Sequence, residues 1–129
     1  MVPMVSQTSE YALQAVLFLA HAGGGPAVAQ DISEATGVPK GYLHKILRRL
    51  GKAGILGSQR GVGGGYVLLR PASQISVLQI IRATDASRKA PNPDAADTDP
   101  VHRLIEQAAG RVDDVFESTS VQDLVEAAV

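Results

Sequence analysis

The chain has 129 residues, 45% of them hydrophobic, a mean hydropathy of +0.07 and no cysteine, which is one ordinary domain's worth of sequence with enough apolar residues for a core. Without thiols there can be no disulfide, thiol redox switch, thiolate metal site or ordinary cysteine-ligated iron–sulfur cluster. The net charge of −1 hides an asymmetry: residues 1–90 carry ten Lys/Arg and four Asp/Glu, residues 91–129 two and nine, and so basic a first part points to a polyanionic partner.

Leu13, Val16, Leu17 and Ala20 recur at helical spacing, predicting a helix over about Ser9 to Ala22, capped by Ser6, Thr8 or Ser9 and stopped by Gly23-Gly24-Gly25-Pro26. The apolar run Tyr11 to Ala22 is broken by Gln14 and His21, falls short of the roughly 20 residues of a membrane span and lacks a signal peptide's basic flank. A cytoplasmic protein with no membrane partner is expected. A short second helix is expected over about Ala29 to Thr36, with Ile32 and Ala35 facing inward, and a third over about Pro39 to Ala53 with Gly54 as its stop.

Thr36-Gly37-Val38 joins these two as a helix-turn-helix would, the second helix being the one that enters the DNA major groove. At 100° per residue, Leu43, Ile46, Leu47 and Leu50 fall within about 60° of one direction. Gly41, Lys45, Arg48 and Lys52 then lie opposite, with His44 and Arg49 on the flanks. Lys40, Lys45, Arg48, Arg49, Lys52 and Arg60 follow one another with no carboxylate among them, a pattern that a nucleic-acid surface and a merely solvated basic face share.

Two β-prone segments, Ile55 to Gln59 and Tyr66 to Arg70, flank Arg60-Gly61-Val62-Gly63-Gly64-Gly65 and predict a hairpin with a glycine tip. A helix-turn-helix followed by a hairpin is a winged helix. Glycines at the tip would let the backbone approach a sugar-phosphate chain while Arg60 reaches a narrow minor groove, and a plain flexible hairpin would use them equally well. Ser76 with Gln79 forms a capping box ahead of a fourth helix over about Val77 to Thr84. Residues 85–98 turn to Ala, Asp, Pro, Ser and Asn and are expected to be a loop or linker.

Asp99-Pro100 restarts a helix of about 17 residues, in which Val101, Leu104, Ile105, Ala108, Val112, Val115 and Phe116 trace one apolar stripe. Such a stripe either packs back on its own chain or pairs with a second copy; the copy is favoured because a dimer covers two half-sites about 34–36 Å apart on one duplex face. A last helix over Val121 to about Ala128 is capped by Ser120, with Asp123 three residues on.

Catalytic patterns are missing. Gly61 to Gly65 lacks the spacing and the strand-to-helix context of a phosphate loop. His21, His44 and His102 are scattered, with no paired metal-ligand spacing, and neither a serine nucleophile elbow nor a carboxylate pair stands out. No enzyme, metal site or cofactor is expected.

Glu10-Tyr11-Ala12-Leu13, Asp31-Ile32-Ser33, Pro39 to Leu47 and Arg60 to Tyr66, in this order, resemble the Rrf-two (BadM) family of winged-helix transcriptional regulators over about Ser6 to Ala86. The resemblance implies a mainly α fold with a small β-hairpin wing, and a homodimer on an imperfect promoter palindrome. It further implies base reading at Lys40, Gly41, His44 and Lys45, a phosphate contact at Tyr42, and Arg60 in the minor groove. Arg48, Arg49, Lys52, Gly63, Gly64 and Tyr66 complete the expected double-stranded DNA surface. His44 departs from the acidic residue many relatives carry there. Better-known members hold an iron–sulfur cluster on three cysteines in the segment matching about Ser87 to Asp99; His102 and Glu10 stand near positions relevant to such a cluster, but without thiolates none is expected.

The expected organisation is a DNA-binding domain at 1–84, a linker at 85–98 and a helical dimerisation region at 99–129. The expected function is a homodimeric regulator, more specifically a repressor, with an unknown protein or small molecule as effector left open. The alternative is a winged-helix module that binds another protein.

Overall fold

Ser6 begins the first helix by accepting the Ser9 amide on its Oγ at 3.1 Å, which satisfies one of the donors a helix start leaves free. In the computed structural model, which describes residues 4–88 and 99–127, α1 runs Gln7–His21, α2 Ala29–Thr36 and α3 Lys40–Lys52. Strands β1 (Leu56–Gln59) and β2 (Gly65–Leu68) follow, then α4 (Val77–Thr84), α5 (Pro100–Ser118) and α6 (Val121–Ala127), with a single 3-10 turn at Ala72–Gln74. The fold is mainly helical with one two-stranded antiparallel hairpin.

α1 is the central rod, packed by α2, α3, α4 and α6. Its buried face is Ser9, Ala12, Ala15, Val16 and Leu19, so of the expected stripe only Val16 is fully buried, and Leu13 and Ala20 pack at the edge of the core. With neighbours on several sides, burial reaches small residues that a search for one stripe of large side chains passes over. The Ser9 hydroxyl is satisfied by the Thr84 hydroxyl at 2.9 Å.

Gly37, at φ +79°, ends α2 by donating its amide to Ser33 O at 2.9 Å. Val38 is then fully buried while Ala35 is exposed, which corrects the expectation that Ala35 faces inward: the turn, not the last turn of the helix, supplies the apolar residue. Ser33 Oγ donates to Val38 O at 2.6 Å and Thr36 Oγ1 accepts the Val38 amide at 3.3 Å, fixing the path into α3.

The hairpin pairs Leu56 with Leu68 and Gln59 with Gly65. A third rung comes from before α2, where Ala27 and Tyr66 exchange amide hydrogen bonds of 3.0 and 2.7 Å. A Cβ on Gly25 would stand 2.5 Å from Tyr66 O, so the glycine run read as a helix stop also lets this segment lie close against β2. α4 begins with the expected capping box, Ser76 and Gln79 bonding reciprocally at 3.1 Å.

Asp99 caps α5 by accepting the Val101 amide at 3.0 Å. Ser120 and Asp123 cap α6 reciprocally, and Val121 of α6 enters the core formed by α1, α2 and α3. Backbone bonds from Val77 N to Thr119 O and from Val121 N to Ile75 O hold this return. Sequence reasoning grouped α6 with α5 in one C-terminal region, yet α6 shares its core with α1. Most of the expected linker, residues 89–98, lies outside the described residues. Among the described residues no helix is long and apolar enough to cross a membrane.

Candidate nucleic-acid interface

α3 divides cleanly. Leu43, Ile46, Leu47 and Leu50 are buried, each anchored by about 1.5–3 kcal/mol of apolar transfer, so the helix cannot rotate to present another face. Gly41, Lys45, Arg48 and Lys52 are exposed on the opposite side, and Lys40, Tyr42 and His44 are exposed on its flanks. Among the described residues these four cations, and Arg60 on the wing, make no ion pair. The result is a rigid cylinder with an uncompensated positive outer surface.

Two residues of the expected set are held by the protein itself. Arg49 is half-buried and donates from Nη1 to the Thr84 carbonyl at 3.0 Å, so its guanidinium ties α3 to the end of α4 instead of joining the outer face. Tyr66 packs its ring against the core while its backbone pairs with Ala27.

Tyr42 remains on the surface but is oriented. Its hydroxyl bonds to Thr8 Oγ1, and its ring meets Tyr11 edge-on, with centroids 5.6 Å apart and planes at 82°. Thr8 and Tyr11 thus belong to the site as supports that sequence reasoning missed. Thr8 is 34 positions from Tyr42, and no local signal joins them.

On the wing, Arg60 and Gly63 are exposed and Gly64 is half-buried. A Cβ at Gly64 would lie 2.2 Å from Gln59 O, so glycine there is required by the turn itself. Val62 at the tip is fully solvent-exposed at 110% relative accessibility.

α5 shows the reverse pattern. Val101, Leu104, Ile105 and Val115 are exposed at between 59 and 64%, and Ala108 is exposed as well. Only Val112 and Phe116 of the stripe are partly covered. Leu104, Gln107, Ala108 and Arg111 line a depression of about 150 Å³ on this helix.

A family model described as Rrf2, iron-dependent transcriptional regulator, matches residues 5–127. The HTH-type transcriptional regulator IscR of Photorhabdus laumondii is 34% identical over 128 residues, spanning 94% of this chain and 78% of that protein. IscR of Serratia proteamaculans is 42% identical over 84 residues, 64% of this chain and 51% of that protein. Among solved structures, T. potens IscR superposes with a TM-score of 0.85 at 32% identity, covering 97% of this chain and 88% of the other. CymR, described as the global cysteine regulator of B. subtilis, superposes at 0.84 with 29% identity, covering 98% of each.

The iron in that family description finds no matching donor set here. The sequence has no cysteine, and among the described residues no three His, Asp or Glu side chains come together to hold a metal. His102 stands 3.8 Å from Glu106 one turn on along the same helix.

Proposed function

This chain belongs to the Rrf2 family of DNA-binding transcriptional regulators, and we propose that it acts as a homodimeric repressor seated on a palindromic promoter site. The uncompensated outer face of α3, held by a wholly buried inner face, carries the reading. It is a regulator and not an enzyme, and with no cysteine to hold iron the proposed action rests on the residues of α3, the wing and α5.

In this reading the N-terminal end of α3 reads bases in the major groove through Lys40, Gly41, His44 and Lys45. Lys donors suit the O6 and N7 acceptors of guanine. A histidine at position 44, where many relatives are acidic, would exchange an acceptor for cytosine amines for a group that can also donate, which changes the sequence read. Tyr42, fixed by Thr8 and Tyr11, contacts phosphate; Arg48 and Lys52 add sequence-independent attraction through counterion release. In this reading the wing puts Arg60 in the flanking minor groove, with close backbone approach open at the exposed Gly63, while Gly64 serves the turn. Arg49 takes no part because its guanidinium is committed to Thr84.

The α5 stripe supplies the second half-site. A solvent-exposed row of Val101, Leu104, Ile105, Ala108 and Val115 is self-complementary under a two-fold axis, and the depression beside Ala108 can take a side chain from the facing helix. Residues 1–84 would then form the DNA-reading unit, with α6 packed on it, and α5 the dimer arm. Repression in this reading is by occupancy, the bound dimer covering promoter DNA.

The test is selection from fragmented genomic DNA at two salt concentrations, with Lys45→Glu/Arg48→Glu as the comparison protein. The wild type should enrich a shared palindrome that persists at the higher salt. The double variant should keep its melting temperature and lose at least about 100-fold in affinity, since each base or phosphate contact contributes about 1–3 kcal/mol and reversal adds repulsion. Unchanged affinity in the double variant would falsify α3 as the reading helix.

A further inference from the structure

The one buried carboxylate among the described residues belongs to neither the DNA face nor the apolar stripe. Asp113 of α5 is 9% exposed at its side chain, and its Oδ1 accepts from Arg88 Nη2 at 2.6 Å. Its other oxygen faces Arg82 Nη2 at 3.8 Å. Arg88 also donates from Nη1 to Met4 O at 2.6 Å and lies 5.6 Å over the ring of Phe116, one turn further along α5. Its Nε is buried without a hydrogen-bond partner.

These contacts mark the place where α5 leaves the body of the protein. Among helices and strands α5 rests on α4; of its residues Asp113 is the buried one, with Val112 and Phe116 half-buried beside it, while Val101, Leu104 and Ile105 towards its N-terminus are exposed. Apolar contact is non-directional and would let a lone helix pivot on its seat. A carboxylate with one oxygen toward each of two arginines is directional, and buried ion pairs generally add little net stability against apolar replacements of like size, their best-attested use being to set register.

We propose that Asp113 and Arg88 are positioning residues that fix the angle of α5 to the winged-helix body and so set the half-site spacing the dimer accepts. The inference rests on the dimeric, palindrome-binding reading above. Val101 precedes Asp113 by twelve residues, about 18 Å along the axis at about 1.5 Å per residue. A pivot of about 10° at Asp113 shifts that end by about 3 Å, close to the roughly 3.4 Å rise of one base pair. Small changes of seat therefore change the spacing by a whole base pair.

The experiment measures affinity of the full chain for palindromes whose half-sites are moved apart or together by one and two base pairs, with mass in solution and melting temperature recorded in parallel. Wild type should prefer one spacing by at least about tenfold over its neighbours, because half-site separation is fixed by the geometry of the dimer. Asp113→Asn, and separately the apolar double variant Arg88→Met/Asp113→Leu, should remain dimeric and bind single half-sites as before, yet discriminate spacings by about threefold or less. A folded, dimeric variant with the wild-type spacing profile overturns the proposal. So does loss of fold in both variants, which would make the pair purely structural. A wild type that is monomeric or indifferent to spacing overturns the dimeric reading itself, and this inference with it.

Discussion

α3 and α5 are both amphipathic helices, and they dispose of their two faces in opposite ways. α3 buries every apolar residue of its stripe in its own chain and leaves its cations outside, Arg49 excepted. α5 leaves most of its apolar stripe outside and buries an acid. The same periodicity thus serves two ends, and what separates them is which face finds a partner within the chain. A helix whose apolar face is satisfied offers charge to its surroundings; one whose apolar face is unsatisfied offers hydrophobic area. Exposed apolar residues are ordinary one at a time, but a contiguous row marks an association surface.

A matched pair of truncations puts that contrast to its hardest trial. Leu47→Ala in α3 removes a side chain with 1% exposure and should destabilise the fold by about 2–5 kcal/mol through lost transfer energy and a residual cavity. Leu104→Ala in α5 should leave urea unfolding of the dilute protein nearly unchanged and instead raise the dimer dissociation constant, read by ultracentrifugation. If Leu104→Ala destabilised a monomer as strongly as Leu47→Ala, the stripe would be packing within its own chain and the contrast would fail.

Arg60→Ala sharpens the comparison on the DNA side. Arg60 is an exposed wing-tip cation with no ion-pair partner among the described residues, so its loss should leave the melting temperature alone and weaken operator binding by about tenfold, in line with about 1–3 kcal/mol for a good contact. Fluorescence anisotropy on a fixed operator decides it, and the loss should be greater for flanks with a narrow, A·T-rich minor groove. A uniform loss on every flank would reduce Arg60 to a plain phosphate contact.

Local chemistry made much of this legible. The Gly37 stop located the end of α2, the Ser76–Gln79 capping box located the start of α4, Asp99-Pro100 located the start of α5, and turn glycines located the wing, because each depends on a few adjacent residues. The opposed faces of α3 followed from periodicity alone. The rest depends on contacts between residues far apart in sequence: the third rung at Ala27, the return of α6 to the α1 core, the Thr8–Tyr42 bond and the Arg88–Asp113 pin. Periodicity assigns a residue to a face but cannot say which neighbour will cover it. Val38 displacing Ala35 from the core is the smallest instance of that limit.

Arg49 is the position where the two kinds of information disagree most directly, and the effect of changing it is correspondingly modest. By sequence it is one more cation beside Arg48; in the structure its Nη1 is 3.0 Å from Thr84 O. Arg49→Met keeps the aliphatic stem and removes that bond, so it should cost about 1 kcal/mol of stability, less than a fully buried charge-assisted bond because the residue is half-exposed. Lys45→Met should do the opposite, sparing stability while lowering the slope of log affinity against log salt by about one ion. Denaturant titrations and salt-dependent anisotropy on the two variants separate the roles. A fall in salt slope for Arg49→Met equal to that for Lys45→Met would return Arg49 to the DNA surface, because a guanidinium held at Thr84 and away from the duplex neutralises no phosphate and so displaces no counterion from the DNA.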